Sequence, residues 1–316
     1  MNSRSGPLAV VAAAVLWGTA GTVGTLASAT SVSLAAARLV LGGALLGALA
    51  LVTRRRTSNG NVPVRRSPIL SPVVSLILGA VAVAAYQLCY FAAVARTGVA
   101  IGTVVAIGSG PVFTGLLSWI AGRERPSGRW ALATAAAVAG CAVLVTGGRG
   151  TGGVDAGGVA LALLGGLLYA FYAVVAARAI GGGMASGVVM GVLFGGAAVL
   201  MLPVLVLTGP GWLAHPGGLL TALYLGCATT GLAYFLYGRG LRTTPVATAA
   251  TLALAEPAVA ALLGVVALRE HLSPVSWAGL ALLALGLVVV ALPAGARGPG
   301  GAVAPGTARA AAGSRQ

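Results

Sequence analysis

Two ionisable side chains stand deep inside apolar stretches of this sequence, and they carry opposite charge: Arg38 and Glu256. An ionised group in mid-membrane costs roughly 2.5–3.5 kcal/mol even on lenient insertion scales, so each asks for a task. Glu256 lies about ten residues into its apolar run, which at ~1.5 Å per residue puts it near the middle of a ~30 Å hydrocarbon core. Pro257 follows it and has no backbone N–H to donate, which loosens a helix one turn back; Pro111 is a second candidate break in an earlier run. The Glu256 carboxyl reads as a proton carrier or a ligand for a substrate amine, or else as a neutral group hydrogen-bonded to a neighbouring helix. Arg38 reads as a cation that meets a substrate carboxylate or pairs with Glu256, though its side chain is long enough to snorkel to the interface.

Polar aromatic residues recur at helical spacing around these two. Tyr86, Gln87 and Tyr90 fall at i, i+1 and i+4, and Cys227, Thr230, Tyr234 and Tyr237 at i, i+3, i+7 and i+10. Tyr169 and Tyr172 align in another run, and Trp17 adjoins a stripe of Gly18, Thr22 and Thr25. A tyrosine hydroxyl in mid-membrane wants a partner, so such stripes suit a wet cavity; interhelical hydrogen bonds or an interfacial belt would use them equally. The expected cavity lining is Trp17, Arg38, Tyr86, Gln87, Tyr90, Tyr172 and Tyr234, with Glu256 as the candidate for proton coupling.

Other chemistry is poorly provided for. Neither His215 nor His271 lies in an apolar run, Ser109 has no visible base, and there is no lysine for a phosphate-binding loop. No catalytic residue, metal site or cofactor is expected. Cys89, Cys141 and Cys227 all sit in apolar runs and read as small buried hydrophobes.

The elements that must position these side chains are membrane helices. The 316 residues are 58% hydrophobic and 7% charged, far from the roughly 25% charged residues of a soluble globule. A net charge of +15 carried by arginine alone, mostly in short gaps between apolar runs, is a topology signal and excludes nucleic acid as the expected partner. Ten runs approach the roughly 20 residues needed to span a bilayer: 7–27, 31–52, 69–94, 98–121, 130–146, 158–177, 184–207, 218–237, 245–268 and 275–292. The first is followed too closely by the second to read as a cleaved signal peptide. With the N-terminus cytoplasmic, fifteen arginines fall inside and three (Arg96, Arg149 and Arg269) outside, which predicts both termini cytoplasmic.

The chain is also written twice. At a shift of 146, Arg96-Thr97 falls on Arg242-Thr243, Pro111 on Pro257, Arg123-Glu124 on Arg269-Glu270, Ser127 on Ser273 and Gly140 on Gly286. Five spans per copy is an odd number, so the second copy must enter the membrane upside down. The expected organisation is a first repeat over 7–146, an external Gly-rich hinge over 147–157, a second repeat over 158–292 and a disordered cytoplasmic tail over 293–316. The fold class is an all-α integral membrane protein of ten helices in two inverted five-helix repeats.

Two five-helix repeats with Trp17-Gly18 in the first helix, Arg38 in the second and a proline-bearing fourth helix running to Arg-Glu resemble the EamA family of the drug/metabolite transporter superfamily. The resemblance spans about residues 7–292. It implies a ten-helix exporter or permease of the cytoplasmic membrane, with a cavity between the repeats, that carries amino acids and related metabolites or, alternatively, drugs. A departure is Gly110, which occupies the position matching Glu256, so any carboxylate role belongs to one half. The leading expectation is a secondary transporter working by alternating access, with a small metabolite, the lipid bilayer and a proton as partners, and a second copy of the chain as a further candidate. A non-transporting membrane scaffold or sensor is the alternative of another class; an enzyme is not expected.

Overall fold

Lipid offers no water to unpaired backbone groups, so apolar runs of this length are satisfied only as helices. A computed structural model of the chain describes residues 5–57, 71–122, 125–147, 155–267, 269 and 271–292, and no strand occurs among them. Ten of its helices are long and apolar enough to cross a membrane: α1 Ser5–Gly24, α2 Ser31–Thr53, α3 Pro72–Gly98, α4 Ile101–Ile120, α5 Gly128–Thr146, α6 Ala156–Gly181, α7 Ser186–Leu207, α8 Pro216–Gly240, α9 Val246–Ala267 and α10 Pro274–Ala291. Each lies within a few residues of the run read from sequence. Most of the expected hinge over 147–157, the whole tail from 293, and Arg123, Glu124 and Glu270 of the two Arg-Glu corners lie outside the described residues.

The repeated signals have repeated structural causes. Ser127 and Ser273, matched at the 146-residue shift, are both N-caps: their side chains accept from the N–H of Trp130 (3.2 Å) and of Ser276 (3.1 Å). The corner between α3 and α4 turns on Gly98 at φ 80°, a left-handed conformation open to glycine.

Packing follows the repeat. α2 lies along α7 and α5 along α10, each helix against its own counterpart. α1 packs on α8 and α9, and its counterpart α6 packs on α3 and α4, so each repeat lends its first helix to the other. Since successive spans reverse direction, counterparts run antiparallel, which makes the repeat an inverted one. The α5–α10 contact is backbone-close: a Cβ at Gly140 would stand 2.3 Å from the Leu283 nitrogen, and one at Gly279 would stand 2.4 Å from that of Leu144.

Three helices depart from regularity, and each departure bears on the site. α8 widens into a π-helical stretch over Tyr224–Leu232, where the Thr230 hydroxyl donates to the Leu225 carbonyl five residues back at 3.0 Å. The wider turn breaks the expected stripe: Cys227 is exposed while Thr230, Tyr234 and Tyr237 are buried. α9 is interrupted before Pro257, where the N–H groups of Leu254 and Glu256 reach only three residues back, to Thr251 and Ala253, each at 3.0 Å. Pro111 behaves differently from its counterpart. Expected as a helix break, it sits inside a continuous α4, and the Thr114 hydroxyl donates to the neighbouring Gly110 carbonyl at 2.7 Å. A proline removes one N–H, and the rest of the helix ladder carries on across it when neighbours pack tightly.

Candidate functional site

The two charged residues singled out in the sequence meet at a chamber between the repeats. Its wall takes Trp17 from α1, Arg38 from α2, Tyr86 from α3, Ala106 and Ile107 from α4, Tyr169 from α6, Tyr234 from α8, and Ala250, Ala253 and Glu256 from α9. Arg38 therefore comes from the first repeat and Glu256 from the second, and both line the same space. The chamber offers about 40 Å³, room for two or three waters at about 10–15 Å³ each and far below the roughly 300–1,000 Å³ of a small-molecule site. In this conformation it is nearly shut.

Two of its donors are unsatisfied. The Nε of Arg38 and the Nε1 of Trp17 are buried with no hydrogen-bond partner, and both residues line the chamber. A buried donor left unpaired costs free energy that an incoming acceptor recovers. Aromatic rings frame the space from both repeats. Trp17 packs on Tyr234 with ring centroids 4.9 Å apart, Tyr234 on Phe194 at 3.9 Å, and Tyr86 on Tyr169 at 6.0 Å.

The prolines add backbone polarity. Without an N–H, Pro111 and Pro257 deprive the carbonyl four residues earlier of its usual donor. Those residues are Ile107 and Ala253, themselves matched at the repeat shift, and both line the chamber. In α9 the Glu256 N–H takes up the Ala253 carbonyl, and a hydrogen bond of 2.9 Å between the hydroxyls of Thr134 and Thr251 ties the interrupted turn to α5.

Of the residues expected at a cavity, Trp17, Arg38, Tyr86, Tyr234 and Glu256 come together here. Gln87, Tyr90 and Tyr172 do not line the wall. Gln87 is buried, and Tyr90 packs on Tyr86 (6.3 Å) with its hydroxyl hydrogen-bonded to that of Thr103 at 2.9 Å. Tyr172 stands behind Tyr169, between that ring (5.3 Å) and Phe194 (5.9 Å). The residue sequence reasoning passed over is Tyr169. The i, i+3 pair of Tyr169 and Tyr172 was the signal, but choosing between them needs the rotation of α6. Tyr169 also accounts for the asymmetry at Gly110: a Cβ there would meet the Tyr169 Cδ1 at 3.1 Å, so the ring fills the place where a second carboxylate would stand.

Gly18 lets α1 approach Glu256. A Cβ at Gly18 would fall 2.8 Å from the Glu256 carbonyl oxygen and 2.6 Å from the Val259 Cβ. Gly18→Ala should therefore overpack the α1–α9 contact at a cost of about 1–3 kcal/mol. Thermal unfolding of the purified variant in detergent checks this: an unchanged melting temperature would mean that α1 stands further from α9 than described.

A larger space opens beyond the chamber. α9 passes from the chamber, at Ala250 and Ala253, to a vestibule of about 850 Å³ lined by its first residues, Val246, Ala247 and Thr248. The vestibule's remaining wall comes from the start of α1, the ends of α4, α6 and α10, the start of α5 and the corner after α8. All of these lie at the membrane face that holds the start of α1.

Comparison with known proteins follows the same division. Residues 4–146 and again 156–292 match the EamA-like transporter family. The uncharacterized transporter YwfM of Bacillus subtilis (strain 168) is 40% identical over 286 residues, 90% of this chain and 92% of that protein. A solved crystal structure superposes with a TM-score of 0.74 at 24% identity, over 90% of this chain and 96% of the other, which speaks to the fold alone.

Proposed function

Because the chain belongs to the EamA-like transporter family and is a multi-pass membrane transporter, we propose that it carries small amino-acid-like metabolites across the cytoplasmic membrane as a secondary exporter or permease. The observation that carries this reading is that Arg38 and Glu256, one from each repeat, line one small chamber. A zwitterion offers a carboxylate to the Arg38 guanidinium and the unpaired Trp17 Nε1, and an ammonium to the aromatic faces of both repeats. A substrate held in this way bridges the two repeats, so binding bears on their relative position. That is the coupling an alternating-access cycle of inverted repeats requires. The charged and polar lining of the chamber favours a polar metabolite over an apolar drug.

Arginine placement supports cytoplasmic termini, so the vestibule faces the cytoplasm. A reporter fused after Gln316 should then read as cytoplasmic in whole cells; an external reading would reverse the assignment. Glu256 serves as the proton-coupling group, taking up and releasing a proton as the chamber opens to either side. The test is a panel of radiolabelled amino acids, amines, carboxylates and lipophilic cations in proteoliposomes, with and without an imposed pH gradient. Zwitterions moving faster than their amide or decarboxylated analogues would sustain the reading; preferential transport of lipophilic cations would replace it with drug efflux.

A further inference from the structure

The vestibule has a chemistry that the chamber does not use. At about 850 Å³ against about 40 Å³ for the chamber, it is large enough in this conformation for a small molecule to occupy without rearrangement. Among the described residues, its charged lining consists of Arg125, Arg129 and Arg242. Two further lining residues bring buried polar atoms without hydrogen-bond partners, the Trp130 Nε1 and the Thr244 Oγ1. α5 also begins here, adding the partial positive charge of a helix N-terminus.

The positive-inside rule accounts for arginines on this face but not for their convergence on one cavity. Other arginines of the same face are placed elsewhere: Arg178 donates to the Ala121 carbonyl at 2.9 Å, and Arg239 stacks on the Phe235 ring at 5.0 Å. Within the vestibule, Arg129 has a structural task, donating to the carbonyls of Val289 (2.7 Å) and Leu292 at the end of α10, yet its charge still faces the space. Arg125 stands 5.8 Å over the Trp119 ring. Among the described residues the charges of this cleft are all positive, and such charges between low-dielectric walls attract anions. The chain's own C-terminal segment is a poor occupant, since beyond Leu292 it carries Arg297, Arg309 and Arg315 and no acidic side chain.

We propose that the vestibule is an anion-binding site, separate from the chamber, that holds a carboxylate or phosphate group between Arg125 and Arg242 beside Trp130. The guanidinium fork suits both groups. The group belongs either to a soluble metabolite or to the headgroup of an anionic lipid. The site stands whatever substrate the chamber carries.

Trp130 reports on it directly. Its emission is isolated as the difference between wild-type protein and Trp130→Phe in an uncharged detergent, and quenched at constant ionic strength by iodide, caesium or neutral acrylamide. Relative to acrylamide, iodide should quench at least roughly threefold better than caesium, as a locally positive site demands. Arg125→Gln/Arg242→Gln should bring the two ions to near parity, and Arg125→Lys/Arg242→Lys should restore the difference. Inorganic phosphate should protect Trp130 from iodide. In nanodiscs, protection by phosphatidylglycerol without added phosphate assigns the site to a lipid headgroup; protection by phosphate alone, in phosphatidylcholine, assigns it to a soluble anion. If Trp130→Phe does not fold, the total emission of the arginine variants carries the same comparison. Equal quenching by iodide and caesium, no change in the glutamine variant, or protection by neither phosphate nor phosphatidylglycerol overturns the proposal.

Discussion

Glu256→Gln should abolish gradient-driven transport, by roughly 100-fold or more, while substrate exchange without a gradient survives. The substitution keeps the shape of the side chain and most of its hydrogen-bonding capacity but removes titration. Glu256 is a lone carboxylate at mid-depth, because Gly110 stands at the matching position and the Tyr169 ring fills the space beside it. Among the described residues no second acid lines the chamber to take over the proton. The interrupted turn ahead of Pro257 places the Glu256 N–H on the Ala253 carbonyl, so the backbone around the carboxylate is set by the proline and not by its charge. The glutamine variant should therefore fold and bind. Counterflow of labelled substrate in proteoliposomes, measured beside uptake driven by a pH jump, separates the two functions. Driven uptake at the wild-type rate would make Glu256 a packing residue, and loss of both activities would make it a substrate ligand without a coupling role.

Arg38→Gln should act on the substrate instead of the proton. Removing one partner of a desolvated charged pair costs roughly 2–5 kcal/mol, so KM for a zwitterion should rise by about 30-fold or more. Arg38→Lys keeps the charge but loses the planar fork and the Nε donor that is unpaired in this structure, so it should fall between the two. The discriminating measurement is an amide-capped analogue, which lacks the carboxylate. Wild-type protein should prefer the free acid, and Arg38→Gln should lose that preference while its proton response persists. If the variant discriminates as well as wild type, Arg38 is a counter-ion to Glu256 and no part of the substrate site. The double variant Arg38→Gln/Glu256→Gln then completes the cycle, since a structural pair should be less damaged by losing both charges than by losing one.

The architecture was legible in the residues because the solvent leaves so few alternatives. Lipid demands apolar helices of a set length, and that demand wrote itself into ten runs, each close to a helix of the structure. The repeat was legible because residues that bend or cap a chain are chemically distinct. Ser127 and Ser273 announce helix starts and are N-caps, and Pro111 and Pro257 bring Ile107 and Ala253 to the same wall. Charge in an apolar medium was equally plain, and Arg38 and Glu256 meet at one chamber.

Helix rotation was not legible, because period alone gives a face and not the neighbour it meets. Tyr169 and Tyr172 share a face of α6, yet only packing against Tyr86 and Phe194 puts the first at the chamber and the second behind it. The stripe ending in Tyr237 failed at Cys227 because a π-helical stretch changed the period that the inference assumed. Pro111 and Pro257 look alike in sequence, but one lies in an unbroken helix and the other follows an interrupted turn, a difference set by the helices around them. The vestibule was invisible for a further reason. Arg125 and Arg242 are 117 positions apart and each reads as an ordinary topology signal; only the folded corners of several helices bring them around one space. The membrane dictates which residues form helices and how often they cross. The contacts between those helices decide what their polar side chains face, and so where the chemistry is.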